Sequence, residues 1–211
     1  FMKKIKADKI MGKLREDYNS IASSFSRSRK NLWTELGFLF QYAQKKDKVL
    51  DIGCGNGRFS SYLTHTDYTG LDFSEKLIAE AKKIFPELNF VVADALHLPF
   101  EDDTFDKVYS IALIHHIPSE EYRVLALKEM RRVVTSGGLV FVTAWKRRIP
   151  WWRRLFSLYD ISIPFNGRER YYHLFKSGEL SRIARKAGLV VIKEGVAEEK
   201  KRSNYYLIAK A

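Results

Sequence analysis

Lys48-Val-Leu-Asp-Ile-Gly-Cys-Gly-Asn-Gly-Arg58 decides the fold. Val49, Leu50 and Ile52 have the character of a short buried strand. Gly53, Gly55 and Gly57 break that strand into a turn where backbone meets a ligand with no Cβ in the way. Arg58 to Leu63 then resume a helix-compatible pattern. A strand, a glycine turn and a helix start make a nucleotide-type cradle, because ligands of open α/β sheets sit beyond the carboxyl ends of the strands. Spacing narrows the ligand: a dinucleotide fingerprint wants its third glycine where Arg58 stands.

Working outward, strands and helices alternate. Tyr68–Leu71 reads as a second strand ending at Asp72, Leu77–Phe85 as a helix stopped by Pro86, and Phe90–Ala93 as a third strand ending at Asp94. Phe105–Ile111 is a fourth strand, Glu120–Val134 a helix, and Leu139–Ala144 a fifth strand after Gly137-Gly138. Gly178–Ala187 is helical, and Leu189–Glu194 with Tyr205–Ala209 read as a hairpin joined by the charged run 198–202. This predicts a Rossmann-like α/β fold: a mostly parallel seven-stranded sheet, a C-terminal antiparallel hairpin, and helices on both faces. Residues 1–46 form a helical N-terminal cap with Ile21, Phe25, Leu32, Trp33, Leu36, Leu39 and Phe40 as anchors. Residues 145–175 interrupt the alternation as a Trp-, Arg-, Pro- and Tyr-rich insertion, within one domain spanning 1–211.

The Gly-x-Gly-x-Gly turn with Asp51 ahead of it resembles motif I of the class I S-adenosylmethionine (SAM)-dependent methyltransferases. On that resemblance the turn residues Asp51, Gly53, Cys54, Gly55, Asn56 and Gly57 cradle the cofactor's amino-acid end. Asp72, followed by Phe73, is placed for both ribose hydroxyls, the task of an acidic residue at this point of Rossmann-like sheets. Asp94, with Ala95 and Leu96, is placed for the adenine amino group. A lone Asp at a strand end is as often a helix cap; here they follow the glycine turn in order. Methyl transfer from a sulfonium is an in-line displacement by an already activated donor, so alignment outweighs acid–base power. No His-Glu-x-x-His or similar pattern calls for a metal.

Bulk properties bound the partner. The net charge of +12 and a pI of about 9.7 suit a polyanion, with nucleic acid ahead of a membrane surface. A single cysteine excludes a disulfide framework, and no apolar run reaches membrane-spanning length. A soluble cytoplasmic protein is the expectation. Trp145-Lys-Arg-Arg-Ile-Pro-Trp-Trp-Arg-Arg154 interleaves cations and rings. Trp145, Lys146, Arg147, Arg148, Arg153 and Arg154 are therefore candidate RNA contacts, where charge meets phosphate and rings stack on unpaired bases. The same stretch also reads as an amphipathic helix packed on the core, or as an interfacial membrane helix. Lys3, Lys4, Lys6, Lys9, Lys200, Lys201 and Arg202 extend the footprint or solvate the chain ends.

Narrower segments go further. Tyr18-Asn-Ser-Ile-Ala22, Phe25-Ser-Arg-Ser-Arg29, Ala93-Asp-Ala-Leu-His-Leu-Pro-Phe100, Ile114-His-His116 and Arg170-Tyr-Tyr-His-Leu-Phe175 resemble the tRNA wobble-uridine carboxymethyl methyltransferases, a group that includes the methyltransferase part of AlkB homologue 8. The resemblance runs from Tyr18 onward. It implies methyl esterification of 5-carboxymethyluridine at the wobble position, and a small zinc-binding activator protein as partner. A carboxylate acceptor with a pKa near ~4 is already ionised and needs a cation rather than a base. Arg29 and Arg170 are the candidates for a bidentate fork, with a surface ion pair or a phosphate contact as the alternative. His116 and His173 would orient the acceptor, His115 would line the cofactor, and Tyr18 would close over it. Tandem histidines cannot both face one way on a strand, so at least one reaches the cleft. Where the family carries paired arginines before its next helix, this chain has Glu121-Tyr122-Arg123. A methyltransferase of a small carboxylic acid or quinone precursor would share the core, as would a SAM- and tRNA-binding protein without turnover.

Overall fold

The computed structural model describes residues 2–29, 33–156, 158–199 and 202–211, and omits the side chain of Arg154. Leu32, Lys200, Lys201 and the Arg154 head group thus lie outside the described residues. In chain order the elements begin with α1 (Lys4–Ser28), α2 (Gly37–Phe40), β1 (Lys48–Ile52), β2 (Asp67–Asp72), α3 (Glu75–Ile84), β3 (Asn89–Val92) and β4 (Phe105–Ser110). They continue with α4 (Glu120–Val133), β5 (Val134–Trp145), α5 (Trp151–Leu155), β6 (Asp160–Phe165), β7 (Arg168–His173), α6 (Glu179–Lys186), β8 (Val190–Glu199) and β9 (Arg202–Lys210).

Seven strands form one sheet in the order β3-β2-β1-β4-β5-β9-β8. The first five run parallel, and β9 pairs antiparallel with both β5 and β8. Successive side chains of a strand point to opposite faces. Leu50, Val108 and Val140 accordingly face a layer containing Leu127, Met130, Ile183 and Ala184 from α4 and α6. Val49, Tyr109 and Phe141 face the other way, against Phe40, Phe59 and Ile78. The Tyr109 ring stacks on Phe40 at 5.1 Å and on Phe141 at 4.4 Å. Ser74 caps α3 by accepting from the Leu77 N–H, and Ser119 caps α4 by accepting from the Tyr122 N–H.

The core architecture matches the sequence pattern; the surroundings differ in three places. After Gly57 the chain makes a short 3-10 run, Arg58–Tyr62, in place of an α-helix. Only a few residues separate the glycine turn from β2, and Arg58 is drawn aside to lie over the Trp33 and Phe59 rings. The cap is one long helix, then a 3-10 turn at Thr34–Leu36 and the single turn of α2. The insertion carries a second sheet, the hairpin β6–β7, turned by Asn166 and Gly167 with φ of 47° and 75°. That is the left-handed pair a two-residue hairpin turn requires. Asn204, the third residue of β9, lies opposite Trp145 at the carboxyl end of β5.

Gly57 has φ of 75°, and a Cβ built there would meet the Phe90 ring at 2.9 Å. Gly57→Ala is therefore expected to lower stability by about 1–3 kcal/mol, read as a reduced urea midpoint with an unchanged m-value.

Candidate active site

Strand order reverses between β1 and β4, and the segments leaving their carboxyl ends form the walls of the main cavity. The 53–57 turn is one wall and the 3-10 turn Ile114–His116 beyond β4 another. Gly53 has φ of 74°, and a Cβ there would press on Leu113 at 3.0 Å. The cavity is partly open to solvent and is walled by apolar and aromatic side chains with a few polar groups among them, the character of small-molecule sites. A narrower slot between Met11, Leu14, Ala93, Asp94, Ala95 and Ile117 opens beside it. Gly53, Asp72, Phe73, Leu113 and His116 line both.

Asp72 organises the cofactor side. Its Oδ2 accepts from the Gly55 N–H at 3.0 Å and its Oδ1 from the Ser74 N–H at 2.9 Å, so the turn and the end of β2 are clamped together. Burial pushes its carboxyl up to about 6, against the lowering effect of those N–H donors. A carboxylate offers about four acceptor sites, so the N–H groups of Gly55, Phe73 and Ser74 leave room for a further donor.

The opposite wall is cationic and aromatic. Arg29, Arg58 and Arg170 all line the cavity. Arg170 is 3% exposed and lies over the rings of Phe165 at 4.6 Å and Tyr172 at 5.5 Å. Its Nη1 donates to the Tyr18 hydroxyl at 3.2 Å, and its Nε has no partner. Tyr18 Oη lies 3.0 Å from His116 Nε2, and His116 Nδ1 lies 3.0 Å from the Tyr171 carbonyl. A carbonyl only accepts, so His116 carries its proton on Nδ1 and Nε2 accepts from Tyr18. Burial lowers His116 to about 3, which keeps the ring neutral and this order fixed. Among the described residues no carboxylate pairs with Arg29 or Arg170. Burial first, then the Arg170 charge, holds Arg29 below its ordinary range.

Both histidines of the tandem pair reach the cavity, their rings 4.5 Å apart; the 3-10 turn splays side chains that a strand would have sent to opposite faces. His115 Nδ1 accepts from the Trp145 N–H at 3.3 Å, leaving a buried Nε2 without a partner. Cys54, Asn56 and Gly55 line the cavity with Tyr18 and Phe73, and Asp94 and Ala95 line the slot. Asp94 caps no helix; its Oδ1 accepts from the Leu96 N–H and holds the turn after β3. Leu96 itself packs into the core, Gly57 sits behind the turn against Phe90, and Asp51 is held beneath the turn by the Tyr68 hydroxyl at 2.9 Å. None of these three lines the cavity.

His173 corrects a sequence expectation. Its Nδ1 meets Asp160 and its Nε2 meets Glu179, both at 2.8 Å, so it ties β7 to β6 and α6 and lies outside the cavity. The strand alternation that sends Arg170 and Tyr172 inward does not aim His173 with them. Among the RNA-contact candidates, Trp145 lines the cavity, and Lys146, Arg147 and Arg148 line a groove leading from it. Lys146 pairs with Glu198 at 2.8 Å, and Arg153 turns back over Trp152 and toward the Leu158 and Asp160 carbonyls. Trp151 is 76% exposed, so α5 does not bury its rings in the core. Sequence reasoning missed Trp33 and Arg58 as cavity residues, and Asn204 in the groove. Arg58 closes the glycine-turn segment itself and Trp33 follows the Phe25–Arg29 segment; Asn204 carries no signal in the sequence.

Residues 50–142 match the methyltransferase domain family model. A tRNA (carboxymethyluridine(34)-5-O)-methyltransferase of Schizosaccharomyces pombe is 29% identical over 91% of this chain and 93% of its own. An Encephalitozoon cuniculi protein named a methyltransferase is 34% identical over 86% of this chain and 89% of its own. The chain belongs to the class I SAM-dependent methyltransferase family. In fold it also matches a chain from the complex between the Haloferax volcanii Trm112 methyltransferase activator and a methyltransferase, with a TM-score of 0.74, 18% identity, and coverage of 94% and 97%. The geometry fits SAM: a glycine cradle a Cβ would fill, a clamped carboxylate with free lone pairs, and an apolar slot ending at Asp94.

Two measurements check these assignments. The ionised Asp72 that a ribose diol needs exists above about 6 and is lost as pH falls through that value. Calorimetric SAM affinity is expected to fall by about tenfold per pH unit below that point, a step absent in a weaker-binding Asp72→Asn variant. His173→Ala is expected to cost about 1–3 kcal/mol in denaturant unfolding while leaving SAM affinity unchanged.

Proposed function

We propose that this methyltransferase esterifies the carboxylate of 5-carboxymethyluridine at the tRNA wobble position. The observation that carries the reading is the pair Arg29 and Arg170, guanidinium groups in the cofactor cavity with no carboxylate of their own. An apolar-walled cavity holding unpaired cations favours an anionic guest, and a guanidinium grips a carboxylate in two-point geometry. The Schizosaccharomyces pombe relative carries that activity in its name, as do relatives from Arabidopsis thaliana and Saccharomyces cerevisiae.

SAM, when bound, supplies a methyl group on a positive sulfur that leaves as a neutral thioether. The chain's own residues have three tasks. Asp72 and the glycine turn fix the donor, Arg29 and Arg170 hold and aim the acceptor carboxylate, and the ring wall of Phe25, Trp145 and Tyr172 excludes water. With the donor so held, the acceptor carboxylate aimed by Arg29 and Arg170 would be the nucleophile for its methyl group, and the donor would leave as the neutral thioether. No proton moves, which suits a site whose His116 stays neutral.

The tRNA face continues from the mouth of the cavity along Arg147 and Arg148 to the exposed rings of α5. No helix among the described residues is long and apolar enough to cross a membrane. A small zinc-binding activator is proposed as partner, in keeping with the activator named in the Haloferax volcanii complex.

The deciding assay incubates the protein, with and without such an activator, with labelled SAM and tRNA bearing 5-carboxymethyluridine. A base-labile methyl ester at the wobble nucleoside is expected; its absence from both reactions overturns the proposal. Arg29→Ala is expected to lower kcat/KM about a hundredfold or more with SAM affinity nearly unchanged. Equal loss of both quantities would move the residue to the cofactor. Arg147→Ala is expected to weaken tRNA binding and reduce the salt slope by about one.

A further inference from the structure

A second cavity adjoins the first and has no place in cofactor binding. Arg29, Trp33 and Trp145 line both; Lys146, Arg147, Arg148, Arg202, Ser203 and Asn204 complete the second. Its cations and indole rings suit a nucleotide: phosphates meet Arg147 and Arg148, and a base lies against a ring. One residue departs from that generic description. Asn204 is 2% exposed, and its carboxamide oxygen has no hydrogen-bond partner. An acceptor buried without a donor is costly and calls for one from outside the chain, which a ligand in the groove can supply.

We propose that this groove is a nucleobase subsite, and that Asn204 is the specificity residue that accepts the ring N3–H of the uracil to be methylated. The inference rests on the reaction proposed above and assigns the recognition of its acceptor. Uracil has N3–H as its one ring donor once N1 is bound to ribose, and cytosine offers an acceptor at that place. Register sets the position: Asn204 pairs with Trp145 at the carboxyl edge of the sheet, where acceptors approach. Arg29, shared by both cavities, is where a C5 substituent of such a base would pass from the groove toward the cofactor. A base read on this edge has left its stack, as enzymes acting on a nucleobase require. Asn204→Ala removes the acceptor and leaves the cations and rings in place.

The test measures binding rather than turnover, with S-adenosylhomocysteine present. The probes are an anticodon stem-loop with 5-carboxymethyluridine at the wobble position and the same stem-loop methylated at N3 of that base. The natural protein is expected to bind the N3-methylated probe about tenfold more weakly. Asn204→Ala is expected to lose a similar factor on the first probe and to bind the two alike, with S-adenosylhomocysteine affinity unchanged. Equal binding of the two probes by the natural protein overturns the proposal, with no variant needed. So does an Asn204→Ala protein that discriminates as strongly as the natural one. Should that variant fail to fold, the near-isosteric Asn204→Leu, which likewise has no acceptor, takes its place with the same expectation.

Ester formation, assayed in parallel, separates the two readings. N3-sensitive binding without ester overturns the proposed reaction and leaves the subsite standing; ester with N3-insensitive binding does the reverse. A stem-loop that does not bind overturns both.

Discussion

The Arg170–Tyr18–His116 chain of hydrogen bonds holds the site together, because each member comes from a different part of the sequence. Tyr18 belongs to the cap helix, His116 to the turn beyond β4, and Arg170 to the hairpin of the insertion. The sheet alone would present a cofactor cradle open on one side. This chain of bonds pins the cap and the hairpin over that cradle and makes a lidded cavity. Its direction is set at one end by a carbonyl: the Tyr171 oxygen fixes the His116 proton, His116 fixes the Tyr18 proton, and the Tyr18 oxygen is left to receive Arg170. Burial keeps His116 neutral, so the ordering does not change with ordinary pH.

Such an arrangement leaves most of the Arg170 fork unspent. Nη1 goes to Tyr18, and Nε has no partner. A buried guanidinium is normally matched by a carboxylate, because desolvating it alone is expensive. Here the flanking rings of Phe165, Tyr172 and Tyr18 supply part of the compensation through cation–π contact. The remainder is available to an arriving anion. Arg29, over Phe25 and Phe165, repeats the device. A phenylalanine of the hairpin, Phe165, thereby supports both cations, although nothing about its position in the sequence marks it.

What was legible in the sequence follows from what is local. β1 and the glycine turn were readable because alternation, positive φ and close approach are imposed within a few residues. Asp72 and Asp94 followed from strand ends in a known order. The hairpin of the insertion has a local signal, Asn166-Gly167 between Ile163 and Tyr171, but it lies among Trp and Arg residues that equally suit RNA contact. His173 departs from its expected place for a related reason. It stands three residues from Arg170 in a motif that reads as one unit, but as a strand the motif turns alternate residues to different neighbours, and His173 meets Asp160 and Glu179. Asn204 was invisible because its significance is an unmet hydrogen bond, a property of the packed molecule alone.

Charge gives the proposed reaction a direction. Among the described residues, Asp72 is the one carboxylate that lines the main cavity, against the guanidinium groups of Arg29 and Arg170. Before transfer, the acceptor carboxylate would be attracted to that excess, and Asp72 with the glycine turn would hold the positively charged donor. Transfer erases both charges at once, since the ester and the thioether are neutral. The arginines then face a group with no formal charge, and the two-point grip that positioned the substrate is gone. A cavity built this way binds the acid better than the ester, so the same cations that recruit the substrate weaken the hold on the product. An acceptor hydroxyl or amine would gain nothing from this asymmetry, and it would need a base that the neutral, fully engaged His116 does not provide.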